Sequence, residues 1–219
     1  MEKFIITINR QFGSMGRPIA KEMAEALNVE FYDRDLIEAA AKKMNMSLSI
    51  ASDLEESARP NRFWRMCFPL GHDESQKQDE LFQVEKKIIL DLADAKSCII
   101  VGRCADYVLR DHPSVMNIYI YASYADRLAN CVGPLHMEKS VAKKMIAGVD
   151  KARAAYHRYW AGYAANDPEH NHIIVNSALL EVEGTAQALA AIARVRFGAD
   201  IALGEGREDH APAAASQDV

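Results

Sequence analysis

Residues 4–18 have the sequence Phe-Ile-Ile-Thr-Ile-Asn-Arg-Gln-Phe-Gly-Ser-Met-Gly-Arg-Pro. The β-branched run over 4–8 predicts a buried parallel strand, and the apolar spacing over 18–27 predicts a helix. Between them, Gly13 and Gly16 allow backbone N–H groups to approach an anion closely, and the positive end of the helix favours one. A glycine loop in this position therefore predicts a phosphate-binding site.

Short apolar runs and helical patterns alternate along the rest of the chain. This alternation indicates an α/β sandwich built around a parallel sheet. Residues 58–79 contain Pro60, Pro69 and Gly71 and are predicted to be irregular, and 204–219 have too little to bury and are predicted to be a disordered tail. The further predicted strands lie near 31–32, 98–101, 117–121 and 173–175, and the further predicted helices cover 35–43, 47–56, 80–94, 140–161 and 182–197, with one more from 124.

Composition limits the possible classes of protein. The 219 residues, 49% of them hydrophobic, predict a single domain over 1–203. A net charge of −5 argues against a protein that coats nucleic acid. Because there is neither a run of 18 apolar residues nor a leader pattern, we expect a cytoplasmic protein without a membrane partner. The four cysteines form no CxxC pair, so neither a disulfide framework nor a structural zinc site is expected.

The glycine loop departs from the phosphate-loop pattern GxxxxGK[ST]. Aligned with it, Gln11 replaces the first glycine, Arg17 replaces the lysine and Pro18 replaces the hydroxyl residue. Arg17 would still place a permanent positive charge beside an anion, and proline suits the first turn of a helix. One alternative is a tight turn without a ligand. Another is a dinucleotide-binding loop, for which Asp33 lies at the right distance to take a ribose; that alternative lacks the leading glycine.

A basic segment is the second informative stretch. Residues 139–158 contain six Lys or Arg residues and only one acidic residue. Arg153 and Tyr156 share one face of the predicted helix, and Arg158 follows within two turns. A solvated basic helix face is the alternative to a phosphate-contacting role.

Several motifs together resemble the cytidylate kinase-like family of bacterial P-loop proteins. They occur in order, span about 4–197, and comprise residues 6–17, 31–37, 100–106, 150–156 with Tyr159, and 175–177. The resemblance implies the fold of nucleoside monophosphate kinases, a three-layer α/β sandwich with a central five-stranded parallel sheet. It also implies an acceptor-binding segment at about 33–95, a lid at about 133–168, and the use of ATP and Mg²⁺.

The resemblance also implies roles for individual residues. Gly13, Ser14, Met15, Gly16 and Arg17 would hold the donor phosphates, and Ser14 is the nearest hydroxyl for magnesium unless phosphates and water hold the metal. The lid arginines Arg153 and Arg158, with Arg17, would neutralise the transferring phosphoryl group.

The acceptor side is implied to involve four residues: Asp33, Arg103, Asp106 and Asp167. For Asp33 or Asp35 the alternative is a helix N-cap. For Arg103 the alternative is helix capping or an ion pair with Asp106.

The expected function is transfer of the ATP γ-phosphoryl group to a nucleoside monophosphate such as CMP, so the expected partners are small-molecule nucleotides. Two alternatives remain. Gln11, Arg17 and Pro18 favour a nucleotide- or phosphate-binding protein that lacks catalysis and has a sensing or partner role. The third possibility is a kinase for a small molecule that is not a nucleotide.

Overall fold

A five-stranded parallel sheet forms the centre of the molecule. The computed structural model describes residues 3–33 and 75–198. The sheet order is β2-β3-β1-β4-β5, and all four pairings are parallel. The predicted α/β architecture with a five-stranded parallel sheet is therefore confirmed. The strands are β1 (Ile5–Arg10), β2 (Glu30–Tyr32), β3 (Cys98–Val101), β4 (Val115–Tyr121) and β5 (Ile173–Asn176).

Helices cover both faces of the sheet, because alternate side chains of each buried strand point to opposite sides. Ile6 and Ile8 of β1 belong to one apolar cluster with two helices, α1 and α6. Ile5 and Ile100 belong to a second cluster on the other face, with α2 and α3. The three layers result from this division. The helices are α1 (Gly16–Leu27), α2 (Ser75–Ala95), α3 (Ala105–Val108), α4 (Tyr124–Val132), α5 (Lys139–Ala161) and α6 (Glu181–Phe197).

Some predicted boundaries were wrong. Residues 75–79 are helical and not irregular, because the prolines and glycine that interrupt 58–79 all precede the start of α2. β4 begins at Val115 and not at Asn117, because Val115 pairs with Ile5 at the start of β1. The predicted helices at 35–43 and 47–56, the remaining irregular stretch and the tail at 204–219 lie outside the described residues.

The parallel arrangement brings the carboxyl ends of the strands to one edge of the sheet. β1 ends there at Arg10, β2 is followed by Asp33, and β3 is followed by Gly102. Within the described ranges, no helix is long and apolar enough to cross a membrane.

Candidate active site

The loop from β1 to α1, residues 11–15, forms a strained turn that we call the first junction. Gly13 has φ 78° and Met15, the N-cap of α1, has φ 57°. A Cβ on Gly13 would lie 2.8 Å from the Arg127 carbonyl oxygen, so only glycine fits there. In the described part of the chain, the N–H groups of Gly13, Met15 and Gly16 have no hydrogen-bond acceptor. These donors, together with the amino end of α1, are suited to an anion.

Helices α4 and α5 hold the first junction in place. The Phe12 N–H donates to Asp150 Oδ1 at 2.7 Å, and Arg127 Nη1 donates to Asp150 Oδ2 at 2.5 Å and to the Phe12 carbonyl at 3.2 Å. Asn130 Nδ2 donates to the Gly13 carbonyl at 2.9 Å. This network was not predicted from the sequence, because Arg127 and Asn130 are more than one hundred residues from the loop and match no motif.

Ser14 uses its hydroxyl inside the protein. Its Oγ donates to the Gln11 carbonyl at 2.9 Å and lies 3.2 Å from the Ile120 carbonyl, and the residue is fully buried. A hydroxyl that donates a hydrogen bond can still offer a lone pair to a metal, but this one lies between two backbone carbonyl oxygens and has no exposed surface. Among the described residues there is also no group of three His, Cys, Asp or Glu side chains that could hold a metal. The residues present therefore do not fit a protein-held magnesium ion, and the predicted role of Ser14 remains a prediction.

Four arginines lie close to one another at the carboxyl edge of the sheet; we call them the arginine cluster. Arg17 Nε lies 2.6 Å from Asp33 Oδ2, which connects the start of α1 to the end of β2. Arg153 Nη1 donates to the Arg10 carbonyl at 3.2 Å, and its guanidinium lies 6.0 Å from the centre of the Phe12 ring. The cluster consists of Arg10, Arg17, Arg103 and Arg153, and the last three all act electrostatically on Arg10.

A second junction, residues 102–104, joins β3 to α3. Gly102, Arg103 and Cys104 have φ values of 80°, 57° and 52°, so three consecutive residues are left-handed. Such strain persists only where surrounding contacts enforce it, and it concentrates at functional sites. Arg103 Nη1 lies 3.0 Å from the buried Glu85 Oε1, and Tyr156 donates to Glu85 Oε2 at 3.1 Å. Arg103 therefore pairs with Glu85 and not with Asp106.

Asp106 lies in a buried network behind the second junction. Its Oδ2 accepts hydrogen bonds from His157 Nε2 at 2.8 Å and from the Tyr163 hydroxyl at 3.0 Å. Burial raises the pKa of Asp106, but the hydrogen bonds outweigh burial and the pKa is lowered. Burial lowers the pKa of His157, but the hydrogen bond and charge of Asp106 outweigh it and the pKa is raised. The structure thus places Asp106 within the protein interior, and its role toward an acceptor remains a prediction.

Two predicted residues lie away from the arginine cluster. Arg158 is exposed on α5. Asp167 follows α5 and accepts a hydrogen bond from the Glu169 N–H at 3.0 Å, with His170 Nδ1 3.4 Å from its other oxygen. Within the described residues, neither side chain contacts the cluster.

Helix α5, the main part of the predicted lid, packs against both the first junction and α2. Met145, Ile146 and Val149 share an apolar cluster with Phe12. At the other end, the Trp160 ring stacks on Phe82 with centroids 3.9 Å apart. This packing brings Arg153 to the first junction.

Comparison with known proteins identifies relatives of the whole architecture. The family model described as "Cytidylate kinase-like family" matches residues 5–179. An uncharacterized protein from Eubacterium ventriosum is similar in structure, with a TM-score of 0.67 and 21% identity over 87% of this chain and 98% of that one. A shikimate kinase from Bacteroides thetaiotaomicron is similar with a TM-score of 0.51 and 12% identity, over 90% and 99% of the two chains. A search of curated proteins finds no match.

Proposed function

Because the chain belongs to the cytidylate kinase-like family and has a P-loop kinase-like fold, we propose that it is a phosphotransferase that moves the γ-phosphoryl group of ATP to a small acceptor. The observation that supports this most strongly is the arginine cluster beside the first junction, whose N–H groups at Gly13, Met15 and Gly16 have no acceptor among the described residues. Phosphoryl transfer depends on positioning and on neutralising charge, and this arrangement supplies both.

The favoured acceptor is a nucleoside monophosphate, with CMP as the family-based choice. An acceptor phosphate oxygen is already anionic, so it attacks the γ-phosphorus without a general base. The new P–O bond forms as the bond to the β-phosphate oxygen breaks, which gives CDP and ADP. Arg153, in α5, and Arg103, after β3, are both close enough to act electrostatically on Arg10. Arg153 would neutralise the transferring phosphoryl group, and Arg103 would bind the acceptor phosphate. Asp33, Asp106 and Asp167 remain proposed acceptor contacts.

ATP and Mg²⁺ are the expected donor and metal, since P-loop kinases generally use both. The donor set around Ser14 offers the metal no evident protein ligand. A magnesium ion would therefore arrive with the nucleotide, held by phosphate oxygens and water.

Incubation with ATP, magnesium and a panel of monophosphates tests the proposal. We expect ADP release that depends on the acceptor, with the diphosphate product identified by phosphorus NMR. Arg153→Ala should lower kcat more than it raises KM, because a lid arginine acts mainly in the transition state. The matched control is Arg196→Ala, whose side chain contacts the Val115 carbonyl at the opposite edge of the sheet. Absence of turnover with every acceptor would contradict the proposal.

A hydroxyl-bearing acceptor is the second candidate, and the position of the Asp33 carboxylate favours it. Attack by a hydroxyl requires a base, and Asp33 is the carboxylate paired with Arg17 beside the first junction. Shikimate and gluconate added to the same panel distinguish the two classes. With a hydroxyl acceptor, Asp33→Asn should abolish turnover; with a monophosphate acceptor it should leave measurable turnover.

A binding protein without catalysis is the third candidate. Pro18, in place of a hydroxyl residue, and the engaged Ser14 hydroxyl favour it. Calorimetric binding of ATP without turnover of any acceptor would support this candidate over both kinases.

A further inference from the structure

The side chain of Arg10 extends from the end of β1, beside the first junction, to the second junction. Arg10 is the last residue of β1. A Cβ built on Gly16 would lie 2.8 Å from Arg10 Cβ, and a Cβ built on Gly102 would lie 2.5 Å from Arg10 Nη1. Because neither glycine has a side chain, the Arg10 side chain can extend from the end of β1 to the end of the neighbouring strand β3. Any larger residue at either position would displace the guanidinium.

Among the described residues, the guanidinium of Arg10 has no ion-pair partner. In residues 3–33 and 75–198, no carboxylate lies within 4.0 Å of its guanidinium, although the side chain is partly buried. Burial, and after it the positive charge of Arg153, hold the pKa of Arg10 well below its usual value, and Asp33 opposes them. Within this cluster Arg17 pairs with Asp33 and Arg103 pairs with Glu85.

Arg17, the residue that aligns with the phosphate-loop lysine, has a different environment. Its Nε pairs with Asp33 at 2.6 Å, and 60% of its side chain is exposed. A carboxylate at this distance neutralises much of the charge that an incoming phosphate would otherwise meet, and solvent screens the remainder. Arg10 is less exposed than Arg17 and, within the described ranges, has no carboxylate at ion-pair distance, so we expect it to interact more strongly with a bound anion.

We infer that Arg10, from the strand before the loop, is the principal cation for the donor phosphates, the part that alignment assigns to Arg17. The ligand is a polyphosphate chain whose oxygens accept from the N–H groups of the first junction and from the Arg10 guanidinium. Gly16 and Gly102 then serve to admit Arg10 to this position. The inference rests on the proposed function and identifies the residue that binds the donor phosphates most strongly.

Titration calorimetry with sodium tripolyphosphate, without magnesium, tests the inference independently of catalysis. The full-length protein is compared with Arg10→Met, Arg10→Lys and Arg17→Met, and Arg196→Met is the matched control at the opposite edge of the sheet. We expect Arg10→Met to weaken binding at least about tenfold, because a charge-assisted hydrogen bond in a partly buried site is lost. The affinity of Arg10→Lys should lie between those of the wild type and Arg10→Met. Arg17→Met should lose less affinity than Arg10→Met, and Arg196→Met should bind tripolyphosphate like the wild type.

Thermal unfolding without ligand separates binding from a structural role. A residue kept for ligand binding destabilises the free protein, so unliganded Arg10→Met should melt no lower than the wild type. Loss of tripolyphosphate binding together with a lower melting temperature would assign Arg10 a structural role and overturn the inference. Unchanged affinity in Arg10→Met, or no binding by the wild type, would overturn it as well. Tripolyphosphate binding that depends on Arg10 without turnover of any acceptor would refute the kinase proposal and leave the inference standing.

Discussion

The first and second junctions are two versions of one backbone turn with different chemistry. Each follows a parallel strand, includes a glycine with φ near 80°, and ends in a left-handed N-cap without a side-chain cap, Met15 in one and Cys104 in the other. The first turn of α1 contains no acidic residue, whereas α3 contains Asp106, which is buried against His157. The helix after the second junction thus has a carboxylate in its first turn, whereas the N–H groups of Gly13, Met15 and Gly16 at the first have no acceptor among the described residues.

Removal of Asp106 should have the largest effect, because it tests whether the second junction is a structural element. Asp106→Ala leaves His157 buried without its partner, and breaking a buried pair costs about 3–5 kcal/mol. Urea unfolding measures the loss. Asp111→Ala, which removes an exposed carboxylate, is the control and should change stability by less than about 0.5 kcal/mol. A loss below about 1 kcal/mol for Asp106→Ala would argue against the structural assignment.

Gly13→Ala should have the next largest effect. The positive φ is strained for alanine, and the new Cβ would strike the Arg127 carbonyl oxygen, which belongs to the backbone and cannot move aside. We expect a loss of about 2–4 kcal/mol from the two costs together. Gly148→Ala is the matched control: nothing lies within 4 Å of its Cβ in α5, so it should be neutral or stabilising. Equal effects at the two glycines would contradict the close fit of the first junction.

Gly102→Ala should cost less stability than Gly13→Ala but affect binding more selectively. Its Cβ would meet only the flexible end of Arg10, so the expected loss is about 1–2 kcal/mol from the positive φ alone. The displaced guanidinium should weaken tripolyphosphate binding by about tenfold. Calorimetry and urea unfolding on the same variant check both numbers; unaltered binding would mean that the position of Arg10 is unimportant to the anion.

The pH dependence of stability should show the smallest effect. Because the folded pKa of His157 is raised, the stability it contributes is complete below its unfolded pKa of about 6.5 and is lost as pH rises through the folded value. The lowered pKa of Asp106 acts in the opposite sense at acid pH: its contribution is lost as pH falls through the folded value. In urea unfolding, His157→Gln should reduce the loss of stability that the wild type shows as the pH rises through the folded pKa of His157. If the variant loses as much stability over this pH range as the wild type, another group is responsible for the loss.

The local sequence predicted the sheet and the glycine turn after β1 because both depend on short-range patterns. Runs such as 98–101 are apolar enough to specify a buried strand, and Gly13 lies between the first strand and the first helix, where the turn forms. The site was predicted less completely. Alignment pointed to Arg17 for the donor phosphates, but the pattern has no position for Arg10, which precedes the loop and reaches the site only by crossing to Gly102.

By itself, the sequence determined the alternation of elements, the parallel sheet and the basic character of α5, since periodicity and composition are properties of neighbouring residues. Only the tertiary structure decided which charges meet. Arg17 pairs with Asp33, Arg103 with Glu85, and His157 with Asp106, and these partners come from different elements. Because electrostatic interactions depend on distance and burial in three dimensions, an arginine paired with a carboxylate and one left for a phosphate look alike in the sequence.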